Sequence, residues 1–274
     1  MGHFVGRRVP LSLPRRFISD LVHFARQVPL STAQRTMQLA PLADARADAE
    51  PRPGWCALFT RAYGLVAIRR PELRRAYLPL PWPHLYEHPY SIASVAVERD
   101  YGPEKAVFFG HVRSPESQPL AKIEGTLRRY KEAPVEDIAV FRRILYTSRL
   151  PRPLRRLLWR IGLYTSGYRR ARYLGTFGIS TTAALGSWAV DLLTPITTAL
   201  NYGVLAPDGS LDVRLTYDHR VLDGGTAARA LAELEGVLNG ELFDEVCRLG
   251  PRAAWASFSA LPDDHLVTVR AGAE

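Results

Sequence analysis

A histidine and an aspartate four residues apart lie in a segment whose residue types suit proton transfer. His219 and Asp223 belong to the run at 217–225, which contains the pattern H-x-x-x-D-G. Imidazole is the side chain that most often acts as a general base, provided that a rigid element presents it to the substrate. The same letters are also compatible with an ordinary turn in which Asp223-Gly224 opens a helix.

The residues on both sides of His219 predict the elements that would position it. Residues 211–217 alternate apolar and polar side chains, which is typical of a half-buried strand. Apolar residues recur at helical spacing from 227 to 238 and are followed by Asn239-Gly240, a typical helix end. We therefore expect His219 at a strand-to-helix turn.

Several segments resemble one family of enzymes. The motif D-H-R-x-x-D-G occupies 218–224, and upstream of it stand G-T-F-G-I-S at 175–180, L-G at 185–186 and T-P-I at 194–196. These segments are similar to those of the dihydrolipoamide acyltransferases, the core enzymes of 2-oxoacid dehydrogenase complexes, which share their fold with chloramphenicol acetyltransferase. The resemblance implies an α/β two-layer sandwich with a large mixed β-sheet packed by helices.

The resemblance also implies a reaction and a role for each matching residue. His219 would take the proton of an accepting thiol, hydroxyl or amine, and Ser180 would hold the oxyanion formed at the thioester carbon, with Thr181 as the alternative. The transfer would be direct, without an acyl-enzyme. Asp223 would fix the turn by pairing with an arginine, for which Arg35 is the choice. A coenzyme A thioester is the expected co-substrate, and no permanently bound cofactor is expected.

The related enzymes build their active sites between subunits. The resemblance therefore implies a homotrimer, or a higher assembly of trimers, in which His219 of one chain faces Ser180 of the next. We expect a stand-alone member, since lipoyl and subunit-binding domains are not seen in the sequence. Two other interpretations stay open: a catalytically silent trimeric scaffold or assembly protein of the same fold, and a peripheral membrane-binding protein.

Positive charge is concentrated in one stretch, residues 142–172, which we call the arginine-rich insertion. The chain carries a formal charge of +9, and this stretch contains ten arginines and no acidic residue. Arg155, Arg156 and Arg160 alternate with leucines and Trp159, as on a short amphipathic helix. The pattern predicts contact with an anion: the phosphates of coenzyme A, an anionic membrane surface or an acidic patch of a neighbouring subunit. Nucleic acid is not expected, because no known binding motif accompanies the charge. The arginines could also simply cover the apolar surface of a packed helix.

One histidine pair has a spacing used by metal ligands. His84 and His88 stand at i,i+4, a spacing that places two ligands on one face of a helix. Three prolines, at 81, 83 and 89, make a continuous helix there unfavourable. We therefore expect surface or pocket histidines and no metal site.

Length and composition predict one domain. A chain of 274 residues with 47% apolar content can bury one substantial core. We predict an N-terminal arm at 1–30 and a single catalytic domain at 31–274. Two cysteines without metal-like spacing and the lack of a membrane-length apolar run favour a cytoplasmic protein, with peripheral membrane contact left open. Periodicity predicts helices at 55–66, 120–130 and 135–146, strands at 90–97 and 106–112, a hairpin at 201–217 and a polar connector at 44–54.

Overall fold

The computed structural model describes residues 6–187 and 189–250. The domain predicted at 31–274 extends beyond this part of the chain, because residues 251–274 lie outside the described residues. The strands are β1 (Leu30–Gln38), β2 (Arg75–Leu78), β3 (His84–Glu87), β4 (Ile92–Tyr101), β5 (Glu104–Arg113), β6 (Phe177–Ile179), β7 (Thr198–Tyr202) and β8 (Ser210–Asp218). Six of them form one mixed sheet in the order β1-β8-β7-β6-β4-β5, and β2 and β3 form a separate hairpin.

Helices connect and cover the strands. They are α1 (Leu13–Ala25), α2 (Ala40–Asp48), α3 (Trp55–Arg69), α4 (Leu120–Glu132), α5 (Ala139–Arg149), α6 (Arg152–Tyr164), α7 (Gly167–Leu174), α8 (Gly224–Val237) and α9 (Phe243–Cys247). A π-helical turn, Leu238–Leu242, joins α8 to α9. The mixed α/β architecture with a large sheet packed by helices is the one predicted.

The main core lies on one face of the sheet. Alternate residues of the strands, such as Val95, Ile179 and Leu200, are buried in one cluster with Phe59 of α3 and Leu234 of α8. Because side chains alternate across a strand, their neighbours point to the other face. We call the first face the core face and the second the cavity face.

The cavity face is covered by α1 together with α5 and α6. Phe17 and Phe24 of α1 pack against Trp159 of α6, with ring centroids 5.2 and 5.6 Å apart. Within the predicted arm at 1–30, the sequence also suggests a short amphipathic helix through Phe17 and Phe24. The structure has this helix as α1, and these two aromatic side chains pack it against the rest of the chain.

Most predicted elements are confirmed. The helices predicted at 55–66 and 120–130 are α3 and α4, and the hairpin is β7 and β8, with Gly209 at a φ of 78° in its turn. Two predictions are wrong. The 44–54 connector contains the end of α2, whose Leu42 is buried, and the helix does not end at Asn239-Gly240 because Leu242 and Val246 continue its buried face.

Two kinds of feature are absent from the part of the chain that the structure describes. No helix there is both long enough and apolar enough to cross a membrane. No group of histidine, cysteine and carboxylate side chains there could hold a metal ion. His84 lies on strand β3 and not on a helix, and His88 is buried just beyond it.

Candidate active site

A buried aspartate fixes the turn that carries His219. Asp218, the last residue of β8, is fully buried, and its carboxylate accepts hydrogen bonds from the backbone N–H of Arg220 at 3.0 Å. The Arg220 guanidinium donates two more, at 2.9 and 2.7 Å. Hydrogen bonds between charged groups are stronger than neutral ones, and His219 stands between these two residues in the sequence. Asp218 and Arg220 are not among the predicted site residues, although the letters D-H-R display the pair.

A second arginine supports the same turn from the arginine-rich insertion. Arg170 of α7 is buried and donates hydrogen bonds to the carbonyls of Tyr77, at 2.9 Å, and Pro195, at 3.0 Å. Burial lowers the pKa of Arg170 to about 10, and the nearby Asp218 carboxylate partly offsets that effect. The Arg220 guanidinium lies over the Tyr77 ring at 4.3 Å. The insertion thus helps to hold the turn in place.

His219 itself faces outward from this rigid turn. Its backbone N–H donates to the carbonyl of Pro29 at 2.9 Å, while 51% of its side chain is exposed. Its Nδ1 lies 3.7 Å from an Asp223 carboxylate oxygen. Because β8 ends at Asp218 and α8 begins at Gly224, the predicted strand-to-helix turn is confirmed.

The predicted pairing of Asp223 with Arg35 is wrong within this chain. The Asp223 side chain is 87% exposed, and Arg35 instead forms an ion pair with Glu235 of α8 at 2.6 Å. The physical reason is strand register. Arg35 is level with Val213 in the β1–β8 pair, about 17 Å along the strands from the end that carries the turn.

Ser180 directly follows β6 and lines a cavity. Its backbone N–H donates to the carbonyl of Leu200 at 3.1 Å, and its hydroxyl makes no hydrogen bond within the described residues. The hydroxyl of the alternative residue, Thr181, already donates to the carbonyl of Tyr202 at 3.0 Å. Ser180 is therefore the one of the two whose hydroxyl is available to a ligand.

A glycine sets the direction of the segment that leads to Ser180. Gly175 ends α7 with a φ of 86°, a conformation that favours glycine. A Cβ added there would lie 2.9 Å from the carbonyl oxygen of Ile92. The close approach lets Thr176 donate its backbone N–H to that same oxygen at 2.8 Å, which joins β6 to β4.

The cavity lies between the cavity face of the sheet and α1, α5 and α6. Its volume is about 640 Å³, within the range of ligand pockets in general. Its walls are mostly apolar and include Leu21, Phe109, Val140, Leu158, Ile161 and Ile196.

A few polar side chains interrupt these apolar walls. Ser94 and His111 are cross-strand partners of β4 and β5, and Arg143 and Ser148 reach the wall from α5. Burial, with the nearby cations Arg143 and Arg113, lowers the pKa of His111 to about 4. His111 is therefore neutral at neutral pH.

His219 and Ser180 do not share a site within one chain. Ile179 is level with Leu200 and with Leu215 across three neighbouring strands. From this level Ser180 lies one residue in one direction and His219 four residues in the other. The separation is about 17 Å along the strands plus about 10 Å across them.

The predicted anion-binding residues have different surroundings. Arg155 is buried and forms an ion pair with Asp20 at 2.6 Å, and Arg156 Nε lies 3.9 Å from the same carboxylate. The anion that Arg155 meets in this structure is thus Asp20, inside the chain, although Arg155 also lines the cavity. Trp159 packs between α1 and the cavity, and Arg160 is exposed on α6.

Several solved acetyltransferases have the same fold as this chain. A probable dihydrolipoamide acetyltransferase from Listeria monocytogenes superposes with a TM-score of 0.62 at 16% identity, over 85% of this chain and 94% of that one. The dihydrolipoamide acetyltransferase of Azotobacter vinelandii gives 0.59 at 18% identity, over 86% and 92%. A chloramphenicol acetyltransferase gives 0.51 at 13% identity, over 81% and 94%. The chain therefore has the fold that these enzymes share, as the sequence resemblance predicts.

The Azotobacter enzyme allows a comparison with the turn that carries His219. For the Azotobacter enzyme, a serine, a histidine and an asparagine four residues after that histidine have been investigated for roles in the catalytic mechanism. His219 and Asp223 have the same spacing, with aspartate in the second position. No protein-family model matches the chain, and no curated protein matches it.

Proposed function

We propose that the protein is an acyltransferase that moves an acyl group from a thioester, a coenzyme A thioester in our proposal, to a thiol, hydroxyl or amine. The observation that carries the proposal is the exposed imidazole of His219 on a turn fixed by the buried Asp218–Arg220 pair. The fold shared with two kinds of acyltransferase and the available hydroxyl of Ser180 support it.

The proposed reaction is direct. His219 takes the proton of the acceptor as the acceptor's heteroatom bonds to the thioester carbonyl carbon. The Ser180 hydroxyl donates a hydrogen bond to the resulting oxyanion. The C–S bond then breaks, and the leaving thiolate takes the proton back from His219. No covalent bond to the protein forms.

The geometry supports a site built from two copies of the chain. Because His219 and Ser180 lie far apart within one chain, we propose a homotrimer in which His219 of one copy reaches the Ser180 cavity of the next. Tyr173 and Leu193 line that cavity and are nonetheless exposed. A second copy at the cavity mouth would cover them.

A second candidate function is contact with an anionic membrane surface. On α6, Leu154 and Leu157 are exposed apolar side chains, and Arg152 and Arg160 are exposed beside them. A helix with these two kinds of side chain can lie at a lipid interface, and each basic residue near an anionic surface contributes about 1 kcal/mol. Vesicle flotation tests this: binding to anionic vesicles should weaken with salt and in an Arg152→Gln/Arg160→Gln variant. Lack of binding would exclude it.

The test of acyl transfer is a substitution of the proposed base. His219→Ala should lower the rate of thiol release from acyl-coenzyme A in the presence of an acceptor by about 10²–10⁴-fold, the usual contribution of a general base. His84→Ala is the matched control, since His84 is exposed on β3, and it should retain activity. A folded His219→Ala protein with wild-type turnover would contradict the proposal.

A further inference from the structure

The cavity contains an arginine whose charge no carboxylate neutralises. Arg143 of α5 is partly buried on the cavity wall. It contacts no acidic side chain within the described residues. Its Nη2 donates only long hydrogen bonds, to the carbonyls of Arg172 at 3.4 Å and Tyr173 at 3.3 Å, and its guanidinium lies 4.7 Å from the Tyr173 ring centroid. Arg155, on the same wall, differs because Asp20 neutralises it.

Further hydrogen-bonding groups lie on the same wall as Arg143. His111 and Ser94, which face each other across β5 and β4, make no side-chain hydrogen bond within the described residues. Ser148, one turn beyond Ile144 on α5, has a buried hydroxyl that finds no partner in the described part of the chain. Buried polar groups are nearly always paired, so unpaired ones around a cavity indicate a ligand.

The chemistry of these groups defines the ligand. A guanidinium, a neutral imidazole and serine hydroxyls can all donate hydrogen bonds to a carboxylate. Arg143 supplies the charge, and the carboxylate that lines the cavity, Asp20, is already paired with Arg155. The rest of the cavity is mostly apolar, and its volume of about 640 Å³ is large enough for a hydrocarbon chain.

We infer that the cavity binds an amphiphilic carboxylate of the fatty-acid type, with its carboxylate at Arg143, His111 and Ser94 and its chain along the apolar walls. The strand register separates His111 from Ser180 by two strands and two residues, on the order of 12 Å. The inference rests on the proposed function in one respect, because this ligand would be the acyl acceptor. Its accepting group would lie at Ser180, and its hydrocarbon chain would separate that group from the carboxylate.

The experiment is calorimetric titration with two probes, dodecanoate and 1-dodecanol. Wild-type protein should bind dodecanoate more tightly than 1-dodecanol, because only dodecanoate can pair with Arg143. Arg143→Gln should weaken dodecanoate binding by about 10–100-fold, the usual range for a lost charged hydrogen bond, and leave 1-dodecanol binding unchanged. Arg142→Gln is the matched control, because Arg142 is the exposed neighbour on the same helix.

Arg143→Lys provides a second test of the inference if the glutamine variant misfolds. It keeps the charge and loses the planar fork, so it should bind dodecanoate more weakly than wild type and more tightly than Arg143→Gln. Equal binding of the two probes, or dodecanoate binding that neither Arg143 variant changes, would overturn the inference.

The outcome is separable from that of the proposed function. His219→Ala should lose acyl transfer and keep dodecanoate binding. If transfer is lost in His219→Ala while wild type does not bind dodecanoate, acyl transfer stands and the ligand class is wrong. If dodecanoate binds as expected while His219→Ala retains transfer, the cavity assignment stands and the catalytic one is wrong.

Discussion

The two faces of the six-stranded sheet are built differently. On the core face, the space left among residues such as Tyr63, Val66, Leu200 and Leu234 is about 10 Å³. On the cavity face, the space beneath α1, α5 and α6 is about 640 Å³. Protein interiors are normally packed as tightly as organic crystals, so only the first face resembles an ordinary core.

One buried group from each face shows the same contrast, although Ser91 Oγ and Glu116 Oε2, which do not line the cavity, are also buried without a partner among the described residues. On the core face, the buried hydroxyls of Tyr63 and Thr198 are hydrogen-bonded to each other at 2.7 Å. On the cavity face, the Ser148 hydroxyl has no partner, and Arg143 has no carboxylate within the described residues. The difference agrees with our proposal that the cavity face binds a ligand while the core face stabilises the fold.

The largest expected effect is on stability, and it is tested by substituting one phenylalanine on each face of the sheet. Phe59 of α3 is fully buried and stacks on Tyr202 at 4.5 Å, so Phe59→Ala should lower the free energy of unfolding by about 3–5 kcal/mol. Phe109 borders the existing cavity and loses fewer contacts, so Phe109→Ala should cost less than half as much. Urea denaturation measures both. Equal losses would mean that the two faces contribute alike.

A slightly smaller loss of stability is expected when the ion pair between Asp20 of α1 and Arg155 of α6, two of the helices that cover the cavity, is broken. Asp20→Asn leaves the Arg155 guanidinium buried beside a neutral side chain, which should cost about 3 kcal/mol of unfolding free energy. Asp100→Asn is the control, because its ion pair with Lys105 is exposed and such pairs contribute little. An unchanged stability of Asp20→Asn would show that the pair does not secure α6.

The third prediction concerns pH. Burial, aided by Arg170 and Arg74, lowers the pKa of His88 to about 4, below the ordinary value of 6.5. The unfolded chain therefore binds more protons than the folded one between these values, so the stability held above pH 6.5 declines as pH falls towards 4. The His88 contribution is on the order of 3 kcal/mol.

His88→Gln isolates that contribution. The drop in unfolding free energy between pH 7 and pH 4.5 should be smaller in His88→Gln than in wild type, whereas His84→Gln, at an exposed position, should behave as wild type. Identical pH profiles for wild type and His88→Gln would refute the assignment.

Local patterns predicted the turn well. The alternation before His219 and the helical periodicity after it are properties of short segments, and both are confirmed by β8 and α8. The end of the helix that follows His219 was predicted wrongly, because burial of Leu242 outweighs the helix-ending tendency of Asn239-Gly240. The packing of α1 depends on Trp159, far away in sequence, and no local pattern reveals it.

Features that depend on register or on distant segments were missed. The proposed Asp223–Arg35 pair fails because sequence does not define how β1 aligns with β8. The cavity was not predicted, since its walls come from α1, the sheet and the arginine-rich insertion. The Asp218–Arg220 pair was visible in the letters, but only the burial of Asp218 shows that it matters.

The most direct test of the account is complementation between two inactive variants, His219→Ala and Ser180→Ala. If each site combines His219 of one copy with Ser180 of another, mixed oligomers formed by subunit exchange should contain some sites with both residues intact. Random mixing in equal amounts should restore about a quarter of wild-type acyl transfer, far above either variant alone. The control is the double variant His219→Ala/Ser180→Ala, which is taken through the same exchange procedure for the same time. It should remain inactive. A mixture as inactive as its parents after demonstrated exchange, or a protein that is monomeric while active, would contradict the account.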